Sequence, residues 1–254
     1  MHILLTNDDG ITASGLYALL QELSKIGKVS VVAPDRERSA IGHGITMHAP
    51  LRTNLYCFDN GIKGRSLTGT PADCVKLALN GLLEGSCVDL VVSGINRGEN
   101  LGTDVLYSGT VSAAIEGMIN GVPSLAISLA EFDNPDYTYA AQFTAQLCSK
   151  LHREGLSQGV LLNINIPSLP EEKITGVEIT KLGIRHYTNS VHRREDPRGQ
   201  EYYWLAGDKV DVDEIGTDVA AVNSGKISIS PLHFDLTDYR LRKNMQSWNL
   251  NKHC

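Results

Sequence analysis

The sequence predicts an α/β protein built on a doubly wound, mostly parallel sheet. Short runs rich in Val, Ile and Leu recur along the chain, and segments of helical apolar spacing alternate with them. The runs are also apolar almost throughout, rather than at every second residue. Such runs mark strands covered on both faces, as in a parallel sheet between two helical layers.

The first strand is His2–Thr6. Residues 14–26 follow as a helix with Leu16, Leu19, Leu20 and Leu23 at helical spacing, and Gly27 is its stop. A second strand spans 29–33, and 44–67 reads as a hairpin excursion. The next helix is marked by Thr70 as N-cap, Pro71 at its first position and Asp73 as a helix-terminal acid. Strands at 89–93, 124–128 and 161–166 then alternate with helices at 111–120 and 137–153. Beyond Pro167, segments 175–181, 201–205 and 226–230 alternate or are β-branched, and helical periodicity weakens. Residues 1–170 are therefore expected to form the α/β core, and 171–254 a β-rich C-terminal arm that is not an independent domain.

A chain of 254 residues, 42% apolar and 20% charged, can bury one large core. Its net charge of −6 argues against a nucleic-acid polymer as partner, and Arg193-Arg194 is followed at once by Glu195-Asp196. The cysteines (Cys57, Cys74, Cys87, Cys148 and Cys254) are scattered and form no CxxC. They support neither a zinc ribbon nor a disulfide framework and read as reduced thiols. No signal-peptide pattern and no apolar stretch of membrane-spanning length occur, so a soluble cytoplasmic protein is expected.

In open α/β sheets, ligands bind outside the carboxyl ends of the strands. Three polar clusters should meet there: Asn7-Asp8-Asp9, the loop 35–39, and Ser93-Gly94-Ile95-Asn96. A lone Asp caps helices and Asp-Gly makes turns. Two adjacent acids, however, repel, and burying them requires a cation or a proton. Carboxylate, amide and hydroxyl oxygens suit Mg²⁺, Mn²⁺ or Ca²⁺ rather than zinc, so the clusters predict one oxygen-lined metal site. Ser39 ends the run Pro34-Asp35-Arg36-Glu37-Arg38-Ser39. Such a run is ordinarily a solvated loop, but after a central strand its hydroxyl can ligate a metal and its arginines can hold phosphate.

The stretch 93–111 is Gly-rich, which lets backbone N–H groups approach a ligand. Its last part, Ser108-Gly109-Thr110, opens a helix whose N-terminus favours an anion. The plain alternative is a long loop with a Ser/Thr N-cap. A Walker P-loop is excluded, because its GxxxxGK[ST] spacing and lysine are absent. His43 is either a packing residue or a group reaching the site. Together these parts point to hydrolysis of a phosphate ester by metal-activated water. Ser108, Gly109, Thr110 and Asn96 would hold the phosphate, and Asp8 or Asp9, with Asp9 the first choice, would orient or deprotonate the water.

TNDDG at 6–10, SGIN-x-G-x-N-x-G at 93–102 and YSGTV-x-AA-x-EG at 107–117 closely resemble the survival protein E (SurE) family of metal-dependent nucleotide phosphatases. APDR-x-RS at 33–39, GTPADCV at 69–75, DPRG at 196–199, YYWL at 202–205 and ISISPLHFDLT at 227–237 extend the resemblance nearly end to end. The resemblance implies a Rossmann-like core with a C-terminal arm exchanged between subunits of a homodimer or homotetramer. It implies removal of phosphate from nucleoside 5′- and 3′-monophosphates, with short polyphosphate as a side substrate. It also implies one divalent cation, Mg²⁺ or Mn²⁺, held by Asp8, Asp9, Ser39 and Asn96. The departure is Ile41-Gly42-His43-Gly44, where many relatives are more polar, and it bears on substrate preference rather than on the metal.

Two rival readings stand beside this one. A phosphatase with an aspartyl-phosphate intermediate would use Asp8 or Asp9 as nucleophile, but the haloacid-dehalogenase pattern spaces its acids two residues apart and here they are adjacent. A non-catalytic nucleotide or phosphate sensor would need no activated water, and the full ligand set argues against it.

Overall fold

The computed structural model describes residues 1–157, 159–212 and 214–248. The core begins with β1 (His2–Thr6), α1 (Ser14–Leu23), β2 (Lys28–Pro34), a hairpin of β3 (Thr53–Cys57) and β4 (Lys63–Leu67), and α2 (Pro71–Leu77). It continues with β5 (Leu90–Arg97), α3 (Gly109–Ile119), β6 (Ser124–Ala130), α4 (Thr138–Glu154) and β7 (Leu161–Pro167). The remainder holds β8 (Val177–Ile179), β9 (Arg185–Thr188), β10 (Val191–Glu195), β11 (Glu201–Leu205), β12 (Asp208–Asp211), α5 (Asp218–Asn223), β13 (Ile227–Leu232) and α6 (Tyr239–Met245).

Nine strands form the main sheet in the order β3-β4-β2-β1-β5-β6-β7-β13-β8. From β4 to β7 every neighbouring pair is parallel, whereas β3 and β13 run antiparallel to β4 and β7. The chain leaves β1 toward β2 and β4 on one side, then returns to β5 on the other. The topological switch point therefore lies between β1 and β5, and their carboxyl ends frame the crevice where such sheets bind ligands.

The apolar residues of the central strands are divided between two helical layers. Ile3 and Leu5 pack with Leu16, Leu19, Leu20 and Leu23 of α1, which lies beside α4. Leu4, between them, faces the other way onto Cys74 and Val75 of α2, which lies beside α3. All of these residues are fully buried, and each apolar side chain of the size of Leu or Ile contributes about 1.5–3 kcal/mol by leaving water.

The start of α2 is built as its sequence predicts. Thr70 Oγ1 accepts from Asp73 N (3.0 Å) and Asp73 Oδ2 accepts from Thr70 N (2.9 Å), with Pro71 at the first position. Helix α1 stops three residues before its expected end, where Ser24 Oγ donates to Leu20 O (2.6 Å) and competes with helix continuation. Strand β5 runs four residues further than expected, through a register irregularity between Ser93 and Asn96 in which the Gly94–Ile95 peptide is cis.

Part of the stretch assigned to the arm belongs to the main sheet. β13 pairs with β7 from Ser228–Asn165 to Leu232–Leu161, and β8 pairs with β13. Strand β7 is buried along its whole length, so its far edge needs a partner, and β13 supplies it. Among the described residues, the strands that stand off are β9–β12, as two small antiparallel pairs. Among the described residues, no helix is long and apolar enough to cross a membrane.

Candidate active site

The turn after β1 is locked from within. Asn7, wholly buried, donates through Nδ2 to Gly10 O (2.9 Å) and accepts from Gly10 N at Oδ1 (3.2 Å). This closed ring sets the directions of Asp8 and Asp9. The loop after β2 is laid against the same turn, because Ile11 N donates to Pro34 O and Arg38 N to Asp8 O, both at 2.8 Å. Ser39 thus follows directly on a residue tied to the Asp8 backbone, and its hydroxyl donates to Glu37 Oε1 (2.7 Å), leaving its lone pairs free among the described residues.

Beyond Ser39 the loop is pinned to α2 and α3. Asp73 accepts from Thr46 N (3.0 Å) and Thr46 Oγ1 (2.6 Å), so it anchors this loop as well as capping its own helix. Burial pushes the Asp73 carboxyl up, but hydrogen bonds from Thr46 and Thr70 outweigh it and hold the group below its ordinary value. His43 Nε2 lies 3.0 Å from Glu116 Oε2, so it pairs with α3 and not with either aspartate.

On the other side of the switch point, Arg97 N donates to Asp9 Oδ2 (3.2 Å), which joins the end of β5 to the aspartate pair. Asn96 Nδ2 donates to Gly98 O (2.8 Å). A carbonyl can only accept, so this bond fixes the amide and leaves Oδ1 as the acceptor available to a cation. The loop that follows is bolted at two points. Asn100 bonds to Asn165 (2.8 Å), Ser128 (2.8 Å) and Asn163 (2.9 Å). Further on, Arg185 of β9 is buried and forks onto Asp211 (2.6 and 3.0 Å) while reaching Glu99 and Asp104 (both 3.2 Å).

At the start of α3, where Ser108, Gly109 and Thr110 are predicted to hold a phosphate, Thr110 is bonded to Asp8. Thr110 N donates to Asp8 Oδ2 (3.1 Å) and Thr110 Oγ1 donates to Asp8 Oδ1. Ser108 Oγ accepts from Val111 N (3.1 Å) as the N-cap. What remains for a ligand is the Ser108 hydroxyl proton and the Gly109 N–H, which has no partner among the described residues. Gly109 makes the approach possible, since a Cβ there would lie 2.8 Å from Asp8 Cβ and 2.9 Å from Asp8 Oδ2.

Burial is the main cause that pushes Asp8 up to about 6, opposed by Thr110 and assisted by the charge of Asp9. Burial likewise raises Asp9, against the hydrogen bond from the Arg97 backbone. Neither carboxylate enters a salt bridge among the described residues. Two adjacent, desolvated acids without an ion-pair partner, flanked by an amide and a hydroxyl oxygen, fit a hard divalent cation. Among the described residues no group of three His, Cys, Asp or Glu side chains is placed to hold a metal ion, so a site here would draw on amide and hydroxyl oxygens beside the two carboxylates.

Three residues here were not singled out from the sequence. Glu37 acts on Asp9 through its charge and holds Ser39. Arg97 brings a cation beside Asp9. Arg185, 89 positions beyond Asn96 in the chain, clamps the loop between Asn96 and Ser108. Adjacency to the predicted clusters was the available signal for Glu37 and Arg97; Arg185 carried none.

The family model described as Survival protein SurE matches residues 3–189. The chain belongs to the SurE family. A relative from Heliobacterium modesticaldum, called 5′-nucleotidase SurE, is 55% identical over 98% of this chain and 92% of its own length. Another of the same name from Moorella thermoacetica is also 55% identical, over 98% of this chain and 96% of its own. The crystal structure of the SurE protein from Aquifex aeolicus superposes with a TM-score of 0.85 at 42% identity, covering 97% of this chain and 98% of that one. The Rossmann-like layering read from the sequence is thus the SurE fold.

Proposed function

We propose that this SurE-family chain is a divalent-metal-dependent phosphomonoesterase. Its substrates are nucleoside 5′-monophosphates, with 3′-monophosphates and short polyphosphate as further substrates. The observation that carries the reading is the aspartate pair at the switch point, free of ion pairs among the described residues, with Asp8 buried and held by the N-terminus of α3 and Asp9 half-buried beside it. The relatives' name, 5′-nucleotidase SurE, supports the nucleotide as substrate.

Asp8, Asp9, Ser39 and Asn96 would hold one Mg²⁺ or Mn²⁺. When bound, the cation supplies Lewis acidity toward the phosphoryl oxygens and makes water available as a nucleophile near neutral pH. Asp8 is the fixed anchor, because Thr110 engages both of its oxygens. Asp9 is more open and among the described residues accepts a single backbone bond, so it can also orient the attacking water and take its proton. The Ser108 hydroxyl and Gly109 N–H meet the phosphate, and Arg97 offsets its charge as it enters. The full engagement of Asp8 and the metal demand on Asp9 disfavour an aspartyl-phosphate. Exposed Val191, Tyr203, Trp204 and Leu205 on the β10–β11 pair supply the surface for a homodimer or homotetramer.

Phosphate release from adenosine and guanosine monophosphates with Mn²⁺ or Mg²⁺ tests the reading. Activity is expected to vanish on chelation and to fall at least 100-fold in Asp9→Asn. A metal-loaded wild type that binds nucleotides but releases no phosphate would instead identify a sensor.

A further inference from the structure

Phe132 stands at the rim of this site, and neither the core nor the proposed hydrolysis uses it. It lies outside the apolar clusters of the core and is 57% exposed. Single exposed apolar side chains are ordinary; the position of this one is not. Its ring rests on Gly98, where a Cβ would fall 2.2 Å from Phe132 Cε1 and Cζ. Gly98 has φ +103°, and its carbonyl is the group that orients the Asn96 amide (2.8 Å). The ring is therefore seated on the backbone that sets a predicted metal ligand. Its loop is held as well: Glu131 Oε1 accepts from Phe132 N (2.8 Å) and Asp133 N (2.9 Å), and both Gly98 N and Glu131 N donate to Leu129 O (2.9 and 2.8 Å).

We propose that Phe132 is the platform on which the nucleobase of the substrate stacks while its phosphate lies at the Asp8–Asp9 pair. The inference rests on the nucleotide reading above and names the residue that separates nucleotides from phosphate esters lacking a base. One edge of the ring is fixed on glycine and the rest meets solvent, so a flat π surface can lie against it. Every nucleobase presents a π face, so stacking favours nucleotides as a class and discriminates little among them, with the larger purines ahead. No hydrogen-bonding side chain is required.

The test compares adenosine monophosphate with ribose 5-phosphate, which has the same phosphoester and no base, in wild type, Phe132→Ala and Phe132→Tyr. Removing a stacking aromatic weakens binding by roughly five- to a hundred-fold. Phe132→Ala is expected to raise KM for adenosine monophosphate within that range and leave kcat near wild type. Ribose 5-phosphate kinetics should not move, and Phe132→Tyr should restore KM. Parallel changes for both substrates, or no change for either, would overturn the proposal. So would an altered oligomeric state with unchanged discrimination, which would make Phe132 an interface residue. Equilibrium binding of adenosine monophosphate in the presence of Mg²⁺ separates the two readings. If wild type binds it without releasing phosphate, hydrolysis fails as a function while the wild-type-to-Ala binding ratio still decides the platform. If wild type does not bind it, both fail.

Discussion

Gly109→Ala isolates the contact between α3 and Asp8. In an ordinary helix this change removes a flexible residue and stabilises by about 0.5–1 kcal/mol. Here the added methyl would lie 2.8 Å from Asp8 Cβ, 2.9 Å from Asp8 Oδ2 and 3.2 Å from Pro71 Cγ. Overpacking of that kind costs about 1–3 kcal/mol, so the expected net is a loss of about 1 kcal/mol. For a chain of this size that is about 2–4 °C in Tm. The larger effect falls on the site, because relief requires Asp8 or the helix start to move. Displacement of a positioned group by about 1 Å costs about a hundred-fold in rate. Gly81→Ala is the control, since its Cβ would meet nothing nearer than Leu77 Cδ1 at 3.4 Å. Thermal melts and Mn²⁺ titrations of phosphate release would measure both effects. If Gly109→Ala melts higher than wild type and keeps its metal affinity and rate, the claim that this glycine sets Asp8 is wrong.

Two further outcomes are expected. In metal-free protein, the Asp8 carboxyl sits at about 6 against an ordinary 3.8, so its ionisation disfavours the fold. Its contribution is fully present below pH ~3.9 and is lost as pH rises through about 6, a difference of about 3 kcal/mol. Asp8→Asn should abolish that part of the stability–pH curve in denaturant titrations between pH 4 and 7.5, and saturating Mn²⁺ should offset it in wild type. Arg185→Ala leaves Glu99, Asp104 and Asp211 facing one another around a vacated charge. A loss of about 3–5 kcal/mol is expected, together with weaker metal binding as the 97–108 loop slackens. Unchanged Mn²⁺ affinity in isothermal titration would show that the loop needs no clamp from β9.

The α/β alternation was legible because its strands are buried on both faces and so are apolar without interruption. The cap of α2 was legible because Thr70, Pro71 and Asp73 act within one turn. Residues 185–211 were harder to read, since exposed short strands leave only a weak alternating pattern. The membership of β13 in the main sheet depends on the open edge of β7, a partner more than 60 residues away in sequence. Arg185 looked like any surface arginine, because its three carboxylates come from two distant segments of chain.

The sequence by itself determined the layered fold and the chemistry of the donor groups. Periodicity and residue type are local properties, and the strand-end rule converts them into an edge carrying Asp8, Asp9, Ser39 and Asn96. Only the tertiary structure decided what each group at that edge is already bonded to. It tied Thr110 at the α3 N-terminus to Asp8, fixed which face of the Asn96 amide is free, and seated Phe132 on Gly98. Those outcomes depend on which lone pairs and N–H groups are consumed by neighbours distant in the chain, and that accounting exists only once the backbone has closed.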